Sequence, residues 1–363
     1  MSGPHYDIVV IGAGMAGASL AAEIAGQAKV LVLEAEDRPG YHTTGRSAAF
    51  WTESYGGPGV QPLTTASGPL LHEMGVLGAR GALTRGMAGQ EAQVASFIDT
   101  YAPLGVAVEW LDRAAVAERV PGLRAEWTCG AFEPSCCDID VAGLHQRYLT
   151  EMMAGAVELW CRAHLVGAQR TGSRWELTLA DGREVSCDVL VNAAGAWADD
   201  VARLAGAGAL GIAPLRRTVA QLRVVPQPPA DLPLVLDIGG TFYFKPESGR
   251  LWLSPHDETP SPPCDAAPEE IDVATAIDRF GQVVDWTVER VEHRWAGLRS
   301  FAPDRLPVYG FDSEAPGFFW FAGQGGFGIQ TAPAAARLGA GLLLDRPDGQ
   351  LDPRPYAPGR FAR

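Results

Sequence analysis

YDIVVIGAGMAGASLAAEIAG (residues 6–26) reads as a short apolar strand, Tyr6 to Ile11, then a glycine turn, then a helix of small residues. Gly12, Gly14 and Gly17 carry the GxGxxG spacing, and the next apolar run, KVLVLE, ends in Glu34, 22 residues after Gly12. Each part suits a dinucleotide. Gly12 permits the tight turn, Gly14 lets the backbone approach a pyrophosphate, and Gly17 lets helix pack on strand. The helix opening at Met15 and Ala16 offers unpaired N–H groups and a positive dipole end to phosphate, while Glu34, followed by Ala35, accepts from ribose hydroxyls.

The hexapeptide alone is a weak signal in a chain rich in Gly and Ala. GAGALG (206–211) also fits, but it follows a helix-like segment. GQGGFG (323–328) follows a strand, GFFWFAG, yet no second strand comes after its helix. Only the first match has strand, glycines, helix, strand and acid in order. This predicts an α/β fold with a Rossmann-type nucleotide-binding domain.

Composition excludes several function classes. The 363 residues are 47% hydrophobic and 20% charged, as in a globular protein with room for two domains or one large one. A net charge of −14 argues against nucleic acid or an anionic membrane as a partner. Six cysteines show no CxxC pair and no metal-ligand spacing, so they read as free thiols in a reducing compartment, and no metal is expected. The run from Ile8 to Gly26 lacks the basic flank of a signal peptide, and no later stretch is long and apolar enough to span a bilayer. The expected location is cytoplasmic.

Three separated motifs carry a resemblance: GAGMAG with Glu34, VNAAGAWAD (191–199), and GLRSFAPDRLPVYG (297–310) with AGQGGFGIQTAPA (322–334). Together they resemble the FAD-dependent superfamily of D-amino-acid oxidase, sarcosine oxidase and glycine oxidase. HTTGRSAAFWTESYG (42–56) and FYFKPESGRLWLSP (242–255) most resemble D-arginine dehydrogenase-like enzymes. The physics of the residues is consistent with FAD. VNAAGAWAD is a strand ending in small residues, where backbone at Ala194, Gly195 and Trp197 can lie against a cofactor. Gly325, Gly326, Phe327, Gly328 and Ile329 sit where a helix is predicted to begin, running from about Ile329 to Leu344. A helix N-terminus there stabilises the negative charge of a reduced flavin ring. Thr43, Thr44, Arg46 and Ser47 are expected to bond the FAD phosphates and ribityl chain, with Gly45 and Ala48 allowing close approach. A helix starting at Ser47 is the plainer alternative for these hydroxyls. Val166 is grouped with the same site.

Residues 212–256 read as antiparallel strands joined by Pro- and Gly-rich turns, followed by a helix after Pro268 with Ile271, Ala274 and Ile277 as its apolar positions. VERVEHRWAG resumes the sheet. Residues 70–140 read as mixed helices and loops. The resulting division assigns 1–75, 140–211 and 297–363 to the FAD domain, and 76–139 and 212–296 to an inserted, antiparallel substrate and lid domain.

The resemblance implies site roles. Arg299 matches the arginine that binds the substrate carboxylate, for which a guanidinium fork is suited. Tyr243, opposite in facing to Phe242 and Phe244, matches a substrate-contacting tyrosine. One of the adjacent Arg216 and Arg217 contacts substrate, and alternation lets only one face the pocket. Gln330 matches a substrate-side glutamine, and Tyr55 matches a mobile-loop tyrosine that closes over substrate. Phe50 departs from the pattern, since the D-arginine dehydrogenase-like enzymes have histidine there. Trp252 falls where sarcosine oxidase-like members carry an oxygen-activating lysine. Lys245 shares a strand face with Tyr243 and could substitute for it, but KPESG reads as strand end and turn, where a lysine usually points to solvent. The implied activity is dehydrogenation of a D-amino acid to the imino acid by hydride transfer to non-covalent FAD, with hydrolysis to oxo acid and ammonia. A quinone-type or artificial acceptor would take the electrons. Alternatives are oxidation of N-methyl or cyclic amino acids, or a flavin-carrying electron-transfer subunit. Oligomeric state is not legible.

Overall fold

The strand His5–Ile11 lies inside an eight-stranded sheet, parallel to Glu184–Asn192 on one side and Val30–Leu33 on the other. The structure is a computed structural model and describes residues 3–346 and 349–361. Val30–Leu33 is buried at all four positions, as a parallel strand covered on both faces should be. One face packs Tyr6, Val9, Leu31, Leu190 and Trp320 together. The other carries Ile8, Val10 and Val32 against Leu20, Ala335 and Leu338 of the covering helices Met15–Glu23 and Ala332–Leu343. The strand Phe318–Ala322 adds parallel to Glu184–Asn192. The carboxyl ends of the parallel strands therefore gather beside the Gly12 turn, the crevice in which open α/β sheets bind ligands.

A second sheet of ten strands is built around Thr287–Phe301, which pairs antiparallel with Ala213–Val225 from Ala213↔Phe301 to Val225↔Thr287. Beyond Ala213–Val225 lie Arg250–Ser254, Tyr243–Glu247 and Leu234–Asp237. The antiparallel strands expected in 212–256 are thus present. Residues 70–140 differ from expectation. They supply Ala82–Met87, Trp127–Glu133 and Glu109–Asp112 to this same sheet. Ala82–Met87 is buried at its first five positions, so it shows no alternation that would mark it as a strand. A small third sheet joins Phe50–Trp51, Cys137–Ile139 and Leu77–Ala79.

Two helices are corrected. In Glu270–Gly281 the inward face is Val273, Ala276 and Phe280, with the expected Ile277 partly buried against the same cluster, while Ile271 is 66% exposed. Both sets have helical spacing, and Phe280 decides between them by packing its ring edge-on to Phe244 at 5.1 Å. The helix expected from Ile329 runs from Ala332 to Leu343, so the glycines before it form a turn that precedes the helix. Among the described residues no helix is long and apolar enough to cross a membrane. All six cysteines are free.

Candidate functional site

A cleft of about 490 Å³ opens at the Gly12 turn and extends to Arg299 and Gly326. Gly12 takes a φ of +99°, and a Cβ on Gly17 would lie 1.9 Å from the Gly12 carbonyl oxygen, so both positions demand glycine. Gly17 accordingly packs helix on strand and does not line the cleft. Gly14, Met15 and Ala16 do, at a helix start that has no side-chain cap on Gly14. Glu34 accepts from the Ala13 amide at 2.9 Å and the Glu36 amide at 3.0 Å, which aims its carboxylate along the cleft beside Ala35. Ala194, Gly195 and Trp197 line the opposite wall. They are set there by Asn192, whose amide donates to the Ala198 carbonyl at 2.7 Å.

Thr43, Thr44 and Ser47 face the cleft, but Arg46 does not. Its guanidinium pairs with Asp265 and donates to the Ala266 and Ala296 carbonyls at 2.9 and 3.2 Å. Arg46 therefore ties the segment to the second sheet and is removed from the phosphate contacts. Thr44–Arg46 is a single 3-10 turn and Ser47 is extended, so no helix starts at Ser47. Gly45 and Ala48 lie behind the lining residues, Ala48 in a cluster with Phe50 and Tyr243. Val166 is 46% exposed, and the lining comes instead from its predecessors Ala163, His164 and Leu165. Those three have no glycine or motif to announce them. Gly325, Gly326, Gly328 and Ile329 line the far end, while Phe327 turns away against Val60 and Phe301.

Register brings the arginines together. Arg217 is opposite Gly297 and Leu215 is opposite Arg299, so Arg217 and Arg299 project from the same face of the second sheet. Arg216 points to the other face, pairing with Glu269 and with Asp272 at 3.0 Å, which leaves Arg217 as the one that shares a face with Arg299. Arg217 donates to the Asp257 carbonyl at 2.7 Å and pairs with Glu258 at 3.1 Å. Arg299 is buried and lines the cleft, and its Nη1 has no hydrogen-bond partner. Burial, and then the charge of Arg217, pull its guanidinium below the ordinary arginine value. A buried cation without a partner is costly, and an anion in the cleft would satisfy it.

Tyr243 faces this side of the sheet and Phe242 and Phe244 the other, as alternation requires. Phe50 joins Tyr55 and Tyr243 edge-on, with centroids 5.2 and 5.8 Å away. Tyr55 belongs to a turn that is clamped in place. Glu133 accepts from the Thr52 hydroxyl and the Glu53 amide, both at 2.7 Å, and from Ser54. Gln330, 2% exposed, donates to the Tyr55 carbonyl at 3.1 Å and to the Thr64 hydroxyl at 3.0 Å, and accepts from the Thr52 amide at 3.3 Å. Both amide hydrogens are given to protein oxygens and Gln330 is not among the cleft-lining residues, so it ties the Tyr55 turn in place. A Cβ on Gly326 would come within 3.0 Å of the Tyr55 hydroxyl, so glycine is what lets that hydroxyl pack against the cleft-lining turn, although Tyr55 itself is not among the lining residues.

Two further side chains were missed or misjudged from sequence. His256 contacts the Tyr55 hydroxyl at 3.4 Å and the Tyr243 ring at 5.7 Å between centroids. Nothing in SPHDET marks it. Lys245 does not point to solvent. It is 2% exposed and pairs with Asp138 at 2.7 Å and Glu247 at 3.2 Å, with its Nζ 5.3 Å from the Trp252 ring.

The residues present fit FAD. Glycines leave room for a pyrophosphate, Glu34 suits ribose, and the far end at Gly325–Ile329 and Arg299 can take a flavin ring with an acid beside it. The comparisons agree. The chain is 27% identical over 288 residues to the hydrogen cyanide synthase subunit HcnC of Pseudomonas aeruginosa, covering 75% of this chain and 64% of that protein. It is 27% identical over 247 residues to the glycine oxidase of the same organism, covering 66% of this chain and 64% of that one. The match spans a little under two thirds of each relative's length. Among solved structures, glycine oxidase from Geobacillus kaustophilus superposes with a TM-score of 0.86 at 21% identity, covering 99% of both chains. L-proline dehydrogenase from P. horikoshii gives 0.87 at 21% identity, covering 99% of this chain and 98% of that one. These two show the shared fold. The family model described as DAO, FAD dependent oxidoreductase, matches residues 7–342, and the chain belongs to this family of FAD-dependent oxidoreductases.

Proposed function

We propose that the protein dehydrogenates an α-amino acid with a neutral side chain, of D configuration, to the imino acid, which then hydrolyses to an oxo acid and ammonia. The observation that carries this reading is the buried, unpartnered Nη1 of Arg299 at the flavin end of the cleft, with Arg217 on the same sheet face. A substrate carboxylate would complete charge-assisted hydrogen bonds that the protein leaves open. FAD, when bound, supplies the two-electron acceptor for the Cα hydride. The chain's own residues bind and orient. Arg299 fixes the carboxylate, Tyr55 and Tyr243 border the amine and Cα, and the Phe50 ring closes the wall against water. A wall of Phe50, Tyr55 and Tyr243 rings suits a neutral side chain better than a guanidinium, which is why D-arginine is not the proposed substrate. The D configuration rests on the resemblance of residues 42–56 and 242–255 to D-arginine dehydrogenase-like enzymes. Electrons leave to a dye or quinone-type acceptor.

A panel of D- and L-amino acids, sarcosine and proline with an artificial acceptor tests the reading. Turnover of L-amino acids alone, or of sarcosine and proline alone, would replace it. Bound FAD without turnover of any would point to an electron-transfer subunit. Arg299→Ala should retain FAD and lose about ten- to a few hundredfold in kcat/KM, the equivalent of roughly 1.5–3 kcal/mol for bonds to a charged group. An unchanged kcat/KM would remove Arg299 from the site.

A further inference from the structure

His256 holds a φ of +54°, a left-handed backbone that a non-glycine residue keeps only where its surroundings fix it. Its Nδ1 lies 2.6 Å from the Gly240 carbonyl oxygen. A carbonyl only accepts, so Nδ1 carries the hydrogen and Nε2 presents a lone pair. That lone pair faces the Tyr55 hydroxyl at 3.4 Å. Burial, and then Arg217, hold the imidazole down to about 4, so it is neutral near pH 7. The charged and titratable groups around it are Arg217, Arg299, Glu258, Tyr55 and Tyr243, and both arginines oppose its protonation.

The Tyr55 hydroxyl has one hydrogen to give. Arg217 Nη1, a donor only, approaches the phenol oxygen at 3.5 Å, so the hydrogen turns to His256. The oxygen's other lone pair is left beside Gly326, at the edge of the cleft. Phe50, on the flank of Tyr55, offers no acceptor that could do the same. We infer that His256 positions the Tyr55 hydroxyl so that its oxygen accepts a hydrogen bond from the substrate's amine nitrogen, making this pair the amine-binding half of the site across from Arg299. Without the imidazole, the phenol hydrogen is free to turn into the cleft, where it would meet the amine's own N–H groups. This inference rests on the amino-acid reading above.

The test uses the FAD-loaded protein with two variants. His256→Asn keeps a residue that tolerates positive φ but is too short to span to Tyr55. His256→Gln restores a carbonyl acceptor near the position of Nε2. The first readout is KM and kcat for the best amino acid. The second is the Kd of propionate, a carboxylate without an amine, followed by the change it causes in the flavin absorbance. His256→Asn should raise KM about tenfold, the effect of one lost hydrogen bond, with a smaller change in kcat. Propionate binding should stay within about twofold, and His256→Gln should recover much of the loss. In a Tyr55→Phe background His256→Asn should do nothing further, because the imidazole acts through the hydroxyl. An unchanged KM, additivity with Tyr55→Phe, or an equal loss of propionate binding overturns the inference while leaving the amino-acid reading standing. A wild-type protein that binds neither propionate nor amino acids removes that reading, and the inference with it.

Discussion

Lys245 shows how a single side chain can mislead when read from its neighbours in sequence. KPESG has the composition of a strand end and turn, where a lysine usually reaches water. Its actual partner, Asp138, is 107 residues away, on the small sheet that also holds Phe50. With carboxylates at 2.7 and 3.2 Å, the ammonium is itself paired and is not a free charge on the Tyr243 face. This bears on oxygen. Electron transfer to O2 creates superoxide, and a fixed, unpaired cation beside the flavin speeds it. Arg217 and Arg299 share that face, but Arg217 is paired with Glu258 at 3.1 Å and substrate carboxylate would occupy Arg299. The protein should therefore reduce dyes or quinones readily and oxygen poorly. Anaerobic reduction with substrate followed by mixing with air-saturated buffer measures this directly. Fast reoxidation with stoichiometric hydrogen peroxide would make it an oxidase, and Lys245→Met would then show whether the paired lysine is responsible.

At the scale of the element, the turn at residues 52–55, which the resemblance matches to a mobile loop, is tied by hydrogen bonds to two distant elements. It is held from both sides, by Glu133 at the end of a second-sheet strand and by Gln330 ahead of the last helix. The cleft-facing hydroxyls of Thr43, Thr44 and Ser47 were legible because local composition carries them. The clamp was not, since an acid 80 residues from the amide it binds leaves no trace in spacing. Glu133 is 2% exposed, and its charge is offset by the donors of Thr52, Glu53, Ser54 and Ser135. Glu133→Gln would place an NH2 donor among those donors. We expect a stability loss of about 1–3 kcal/mol, faster hydrogen exchange in 50–58, a higher KM, and unchanged FAD content. Exchange protection equal to wild type would show that the turn is held without the carboxylate.

At the scale of the whole molecule, the cleft belongs to neither sheet alone. Its walls come from the first sheet's strand ends and from Leu298, Arg299 and Ser300 of the second sheet's longest strand. The first sheet was readable because glycine spacing and buried parallel strands obey local rules. The second was read only in part, because Ala82–Met87 is buried without alternation and Trp127–Glu133 pairs with it across a long insertion. A ligand held between both should stabilise the fold as a unit. FAD at about a hundredfold above its Kd adds roughly 2.7 kcal/mol, so removing it should lower Tm by several degrees and adding it back should restore Tm. No cysteine lines the cleft, so acid precipitation should leave the yellow colour in the supernatant. Flavin retained in the pellet would mean a covalent bond. Acid should also loosen the holoprotein for a reason visible at the Gly12 turn. His145 bonds the Ala13 carbonyl at 2.9 Å, and burial holds its imidazole below the ordinary histidine value. The unfolded chain therefore takes up that proton first as pH falls below about 6.5, so stability is full above that pH and drains away toward the folded pKa. His256, held at about 4, adds the same sign over a window from about 6.5 down to 4. Tm measured between pH 7.5 and 4.5 should fall on acidification, and His256→Asn should fall less steeply than wild type. Parallel curves for the two proteins would mean that His256 takes its proton in the folded state as easily as in the unfolded one.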